Sequence, residues 1–127
     1  MRAIDTNVLI RILAQDDPSQ ARVAGAFIAS GAWVSHLVLA EATWVLSSVF
    51  ERTPKQVADA LGHLLEHESL VLQDPDTVEL ALEHFRRKPS LGFSDCLIVE
   101  IARKAGHLPL GSFDKDVARL PGAERLK

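Results

Sequence analysis

The chain has 127 residues, 47% of them hydrophobic, and a formal net charge of −3. That size and composition predict one folded domain over 1–127 and exclude intrinsic disorder, and the negative balance excludes nucleic-acid binding by bulk charge alone. A single cysteine excludes an internal disulfide and points to a reducing, cytoplasmic setting. No apolar run approaches the roughly 18 residues that span a bilayer, so no membrane partner is expected, and no signal peptide is visible at the start.

In chain order, Met1 to Asp5 reads as a short buried strand and Thr6 to Ala14 as an apolar helix. Asp16-Asp17-Pro18-Ser19 forms a turn and helix start, since proline is tolerated in a first turn. Gln20 to Ser30 follows as helix, stopped by Gly31. Ala32 to Ser35 suits a second strand, His36 to Phe50 a long apolar helix, and Thr53-Pro54 opens an amphipathic helix running to about Glu68. Leu70 to Leu72 is a strand candidate, and Thr77 to Arg87 is helical until Lys88-Pro89-Ser90-Leu91-Gly92 breaks it. Phe93 to Ala105 is the next helix, with Gly106 as its C-cap. Leu108 to Gly111 reads as a brief strand, Asp114 to Leu120 as a short helix, and the last residues as an edge strand. Strands alternating with helices predict a three-layer α/β/α domain, a central parallel sheet covered on both faces.

Ligands of such sheets bind beyond the carboxyl ends of the strands, and Asp5 stands where a strand gives way to a helix. So close to the chain start it has little to cap, which makes chemistry its expected role. Glu41 has Leu37, Val38, Trp44 and Val45 three and four residues away, so it is expected on a buried stripe. An ionised carboxylate there is costly unless paired or metal-bound, and the alternative is a glutamate reaching water. Asp95 lies on the side of Ile98, Val99 and Ala102; its alternative is an ordinary first-turn acid facing the helix dipole. Asp114 follows a strand directly, with an N-cap as its alternative. Asp116 is a weaker ligand candidate that also reads as a solvated acid. Clustered carboxylates without matching cations repel one another and call for a hard divalent ion, Mg²⁺ or Mn²⁺. Thr6, Asn7, Ser94 and Ser112 each neighbour one of the acids and can fix its orientation by hydrogen bonds.

The ordered set Ile4-Asp5-Thr6-Asn7, Ser35 to Glu41, Phe93-Ser94-Asp95-Cys96-Leu97-Ile98 and Gly111-Ser112-Phe113-Asp114-Lys115-Asp116 resembles the PIN-domain family, and within it the VapC-type ribonuclease toxins. The resemblance runs along essentially the whole chain, departing mildly at Ser112, often threonine in that family. It implies a twisted parallel sheet flanked by helices and a metal site made by Asp5, Glu41, Asp95 and Asp114, with Asn7 and Ser112 in support. It also implies Mg²⁺- or Mn²⁺-dependent hydrolysis of RNA, with 5′-phosphate and 3′-hydroxyl products, a homodimer, and inhibition by a small cognate antitoxin. In that chemistry a metal-activated water attacks the phosphorus while metal stabilises the leaving 3′ oxygen. Arg11, Arg86, Arg87, Lys88 and Lys115 are candidate phosphate contacts, against an alternative as ordinary surface.

Other readings stay open at the level of sequence. His63-Leu64-Leu65-Glu66-His67 matches an H-x-x-E-H zinc-protease pattern, but a solvated polar helix face explains it without metal. A phosphotransfer domain also ends its first strand in an acid; Asn7 stands where the haloacid-dehalogenase pattern requires a second aspartate, and Gln73-Asp74 only loosely supplies what a receiver domain needs. A non-catalytic interaction module is the third. Cys96 is expected to be a small buried residue rather than a nucleophile, and His36 and His107 fit no ligand spacing. Part of the apolar surface of the Leu37 to Phe50 helix is expected to serve a dimer or antitoxin groove.

Overall fold

Every strand is only two or three residues long, and each pairs in parallel. The computed structural model describes all of residues 1–127 as two units, Met1–Pro75 and Asp76–Lys127. The α/β class and the parallel strands are those the sequence predicts.

In the first unit, β1 (Arg2–Ala3), β2 (Ala32–Val34) and β3 (Leu70–Leu72) form one sheet in the order β1-β2-β3. Parallel neighbours need crossover connections, which α1 (Thr6–Ala14), α2 (Pro18–Ile28), α3 (His36–Ser48) and α4 (Pro54–Glu66) supply. Helix α1 packs on α2 and α3, and α4 packs on β3 and α3. The core takes one face of the sheet: Ile4, Ala32, Val34, Leu70 and Leu72 are buried with Leu9, Leu39, Leu61 and Leu64 from the helices. On the other face Ala3, Trp33 and Val71 align in register across the strands and keep part of their surface exposed.

Local signals set the boundaries. Helix α2 begins at Pro18, within the expected helix start, because the Asp17 side chain accepts from the Gln20 amide and proline takes the first position. Thr53 and Gln56 close a capping box on α4. Helix α3 stops at Ser48, two residues short of the expected Phe50, and α4 stops at Glu66.

The second unit contains α5 (Pro75–Arg87, opening on the boundary), α6 (Phe93–Ala105), β4 (Leu110–Ser112) and β5 (Ala123–Arg125). Val78, Ala81, Leu82 and Phe85 of α5 are buried, as are Phe93, Cys96, Leu97 and Val99 of α6. Phe85 and Phe93 meet edge to face, ring centroids 6.1 Å apart. Gly106 ends α6 at φ +83°, as expected of a C-cap, its amide bonded to Ala102 and Arg103 carbonyls. Strands β4 and β5 form a separate two-stranded ladder. The expected helix over Asp114 to Leu120 is only a 3-10 turn at Val117–Arg119, because Val117 and Leu120 are its only buried side chains. No helix is long and apolar enough to cross a membrane.

Candidate active site

Asp5 follows β1, where the Ile4 amide still bonds to the Trp33 carbonyl. Its Oδ1 accepts from the Val8 amide at 3.0 Å, so Asp5 is the N-cap of α1. The expectation that it had little to cap is therefore corrected: the strand ends where the helix begins, and one residue serves the junction. Oδ2 has no protein partner, and no cation pairs with Asp5. Thr6 and Asn7 occupy the first turn of α1 and make no hydrogen bond to the Asp5 carboxylate.

Glu41 is exposed, correcting the buried stripe expected for it. The neighbours named from spacing do share its side of α3, but Leu37 and Trp44 are 69% and 66% exposed. The buried side is Leu39, Ala42, Thr43 and Leu46. Helix α3 is apolar on most sides, so periodicity could not say which side faces the core. Glu41 has neither hydrogen bond nor ion pair, and its carboxylate is available without a desolvation penalty.

Asp95 is the third residue of α6 and half-buried. Burial first, and then the Asp114 charge, push its carboxyl above the ordinary range, with a bond from the Gly92 amide opposing them. The second unit thus brings Asp95 and Asp114 within electrostatic reach of each other. Asp114 itself is held below the usual range by the amides of Val117 and Asp116, at 3.0 and 2.8 Å from its Oδ1, with the Lys88 charge adding to them. It therefore also caps the turn that follows, the alternative weighed for it. Its other oxygen has no partner. Ser112 Oγ accepts from the Asp114 backbone amide at 3.1 Å rather than bonding its carboxylate, and Ser94 is exposed and makes no bond to Asp95.

The candidate cations divide. Arg11 is engaged within the first unit, Nε on Gln20 at 2.7 Å and Nη1 on Asp16 at 2.8 Å, in keeping with the alternative weighed for it as ordinary surface. Lys88 pairs with Asp116 at 3.3 Å, so Asp116 is engaged as well. Arg86, Arg87 and Lys115 are exposed and unpaired.

Other side chains come out of contention. Cys96 is fully buried, and burial with the nearby Asp95 charge pushes its thiol up to about 11, unfit for a nucleophile. His63, Glu66 and His67 are exposed, and His67 Nδ1 accepts from the Ser69 amide at 3.0 Å. Gln73 accepts from the His36 amide at 2.9 Å, and His36 Nε2 is buried without a partner.

Two features went unread in the sequence. A groove of about 360 Å³ runs between α1 and α2, from Asn7 and Val8 to Val23 and Phe27. Glu100 is only 3% exposed; its signal was present, since it lies three and four residues beyond the buried Leu97 and Cys96.

No three His, Cys, Asp or Glu side chains gather into a metal cluster. Each unit supplies carboxylates with uncommitted oxygens, and none of Asp5, Glu41 or Asp95 is neutralised by a cation. Hard oxygen donors in this state fit Mg²⁺ or Mn²⁺ and suit no soft metal. A family model described as PIN domain matches residues 3–123, across both units. No curated protein and no solved structure matches the chain.

Proposed function

Because the chain belongs to the PIN-domain family, whose members are generally metal-dependent nucleases, we propose that it is a Mg²⁺- or Mn²⁺-dependent endoribonuclease, the toxin of a toxin–antitoxin pair. The observation that carries the reading is that Asp5 and Asp114 each keep one carboxylate oxygen without a partner and no cation pairs with Asp5, Glu41 or Asp95, while burial and then the Asp114 charge raise the Asp95 carboxyl. Repulsion of that kind is relieved by a divalent cation. Asp5, Glu41, Asp95 and Asp114 are assigned as its ligands, following the family's motif order. When bound, such an ion activates water and screens the charge of a phosphodiester.

The chain's own residues account for the rest. Capping bonds hold Asp5 and Asp114 through one oxygen and leave the other for the ion. Ser112 fixes the backbone at Asp114. Arg86 and Arg87, exposed and unpaired, are the favoured phosphate contacts, next in sequence to Lys88, which stands near Asp114 but is paired with Asp116. Arg11 is withdrawn from that role. The partially apolar groove between α1 and α2, with Val23 69% exposed, suits an apolar helix of an antitoxin. A homodimer draws on the exposed Leu37 and Trp44 of α3. Localisation in the cytoplasm belongs to the same proposal. Phosphotransfer has no observation in its favour, since Asn7 still stands where a second aspartate is needed.

The test is incubation of purified chain with RNA and Mn²⁺, with and without EDTA. Cleavage that EDTA stops and Asp95→Asn abolishes is the expected result; intact RNA in every arm, over a panel of structured and unstructured substrates, rejects the nuclease.

A further inference from the structure

Glu100 takes no part in the proposed ion site, yet it is among the most deeply buried charged groups in the chain. Charge in such a place requires compensation by partners. His84 of α5 supplies one, Nε2 lying 3.1 Å from Oε2. Arg103, one turn further along α6, supplies the other: its Nε donates to both carboxylate oxygens, at 3.1 and 3.3 Å.

Arg103 then reaches beyond its helix. Its Nη2 donates to the Pro121 carbonyl just before β5. The chain bends closely around the guanidinium at Gly122, where φ is +91° and a Cβ would stand 3.0 Å from Nη2 and 3.1 Å from Leu108 Cδ1. Only glycine meets both demands. The Gly122 carbonyl accepts from the Leu110 amide at 2.9 Å, which starts the β4–β5 ladder. At the far end of that ladder Ser112 accepts from the Leu126 amide through its carbonyl and from the Asp114 amide through Oγ.

A directional chain of bonds therefore runs from Glu100 through Arg103, Pro121-Gly122 and the ladder to Asp114. Helix α6 carries both Glu100 and, five residues earlier, Asp95. The ladder needs such a tie: its strands have three residues each, and none of those residues is buried. A two-stranded ladder is marginal by itself.

We propose that Glu100 and Arg103 are positioning residues that hold the β4–β5 ladder on α6, and so keep Asp114 at the distance from Asp95 that a divalent ion needs. The proposal rests on the nuclease reading for the ion, and on the geometry above for the clamp.

Its test is Mn²⁺ titration, followed by electron paramagnetic resonance of the free ion, on the full chain and on Arg103→Met, Arg103→Lys and Glu100→Gln. Amide hydrogen exchange is measured on the same samples. Loss of a group that supports metal ligands typically weakens metal binding about 10–100-fold, and that loss is expected for Arg103→Met. Arg103→Lys and Glu100→Gln, which keep part of the bonding, are expected to fall between it and the natural chain. Amides of Leu110 to Val117 should lose protection while those of Leu39 and Leu61 keep theirs. The lost RNA cleavage should return at higher Mn²⁺, which a merely weakened fold would not allow. Unchanged Mn²⁺ affinity in Arg103→Met and Glu100→Gln, with the natural chain binding Mn²⁺, overturns the clamp alone. If Arg103→Met does not fold, Glu100→Gln decides by the same criteria. Failure of the natural chain itself to bind Mn²⁺ overturns the nuclease reading and the clamp with it.

Discussion

The two units hold their acids by different physics. In Met1–Pro75, Asp5 and Glu41 ride on elements fixed by apolar burial: Leu9 and Leu39 have no exposed surface, and a three-stranded sheet backs them. In Asp76–Lys127, Asp95 sits on a helix of that kind, but Asp114 sits on a ladder placed by hydrogen bonds and ion pairs. Burial tolerates much change in surface polarity, whereas a bonded network depends on each member. The difference teaches where this protein can be adjusted without being unfolded.

The comparison breaks first in the core. Leu39→Ala is expected to cost about 2–5 kcal/mol, as removal of a buried leucine generally does, seen as a lower urea midpoint. A loss below about 1 kcal/mol, the scale of a single helix cap, would show that the first unit is not held by its core.

The Asp5 junction gives the next effect. Asp5→Ala removes a cap and is expected to cost about 1 kcal/mol. Asp5→Asn keeps the cap, asparagine being an equal acceptor, and should leave the denaturation midpoint nearly unchanged while ending RNA cleavage. Equal destabilisation by both variants would mean that the charge, not the cap, holds the junction.

Asp95→Asn should act in the opposite direction, raising the melting temperature by a few degrees at most in metal-free buffer near neutral pH. The Asp95 carboxyl titrates above the ordinary value of 3.8 in the folded chain, so ionising it costs the folded state. Relative to the asparagine variant, the natural chain is undiminished below that ordinary value and loses stability as pH rises through the raised one. Thermal melts between pH 3 and pH 7 check this; a gain that is the same at every pH would mean the carboxylate is not the cause.

The smallest effect concerns Cys96. With its thiol pushed up to about 11 and fully buried, it should resist thiol reagents at pH 8 until urea unfolds the chain. Fast labelling of folded protein would place it nearer the surface.

Much of the first unit was legible because helix α1 and strand β3 bury regular patterns between clear stops; both fall on the residues the sequence marks. Helix α6 does too, having a glycine at each end. Legibility failed where one pattern served two settings. The apolar residues of α3 surround the helix, so spacing placed Glu41 among Leu37 and Trp44 correctly and still assigned that side to the core. Asp5 stands at a strand–helix junction in the sequence, but its use as the cap of α1 shows only in the hydrogen bond to Val8. The tail was hardest, because Arg103, Pro121 and Gly122 meet through bonds that leave no periodic trace. The acids were found as residue types, but their freedom to bind, and the pairing of Asp95 with Asp114, are matters of geometry.

The central proposal is that Asp5, Glu41, Asp95 and Asp114 serve one divalent ion, an assignment that follows the family's motif order. Mn²⁺ titration of the natural chain, Asp5→Asn, Asp95→Asn and the double variant tests it most directly. Groups that act as a unit are strongly non-additive, so each single substitution should remove tight binding and the double should be no worse. Independent losses that add, or a full-strength Mn²⁺ site surviving in either single variant, would contradict it.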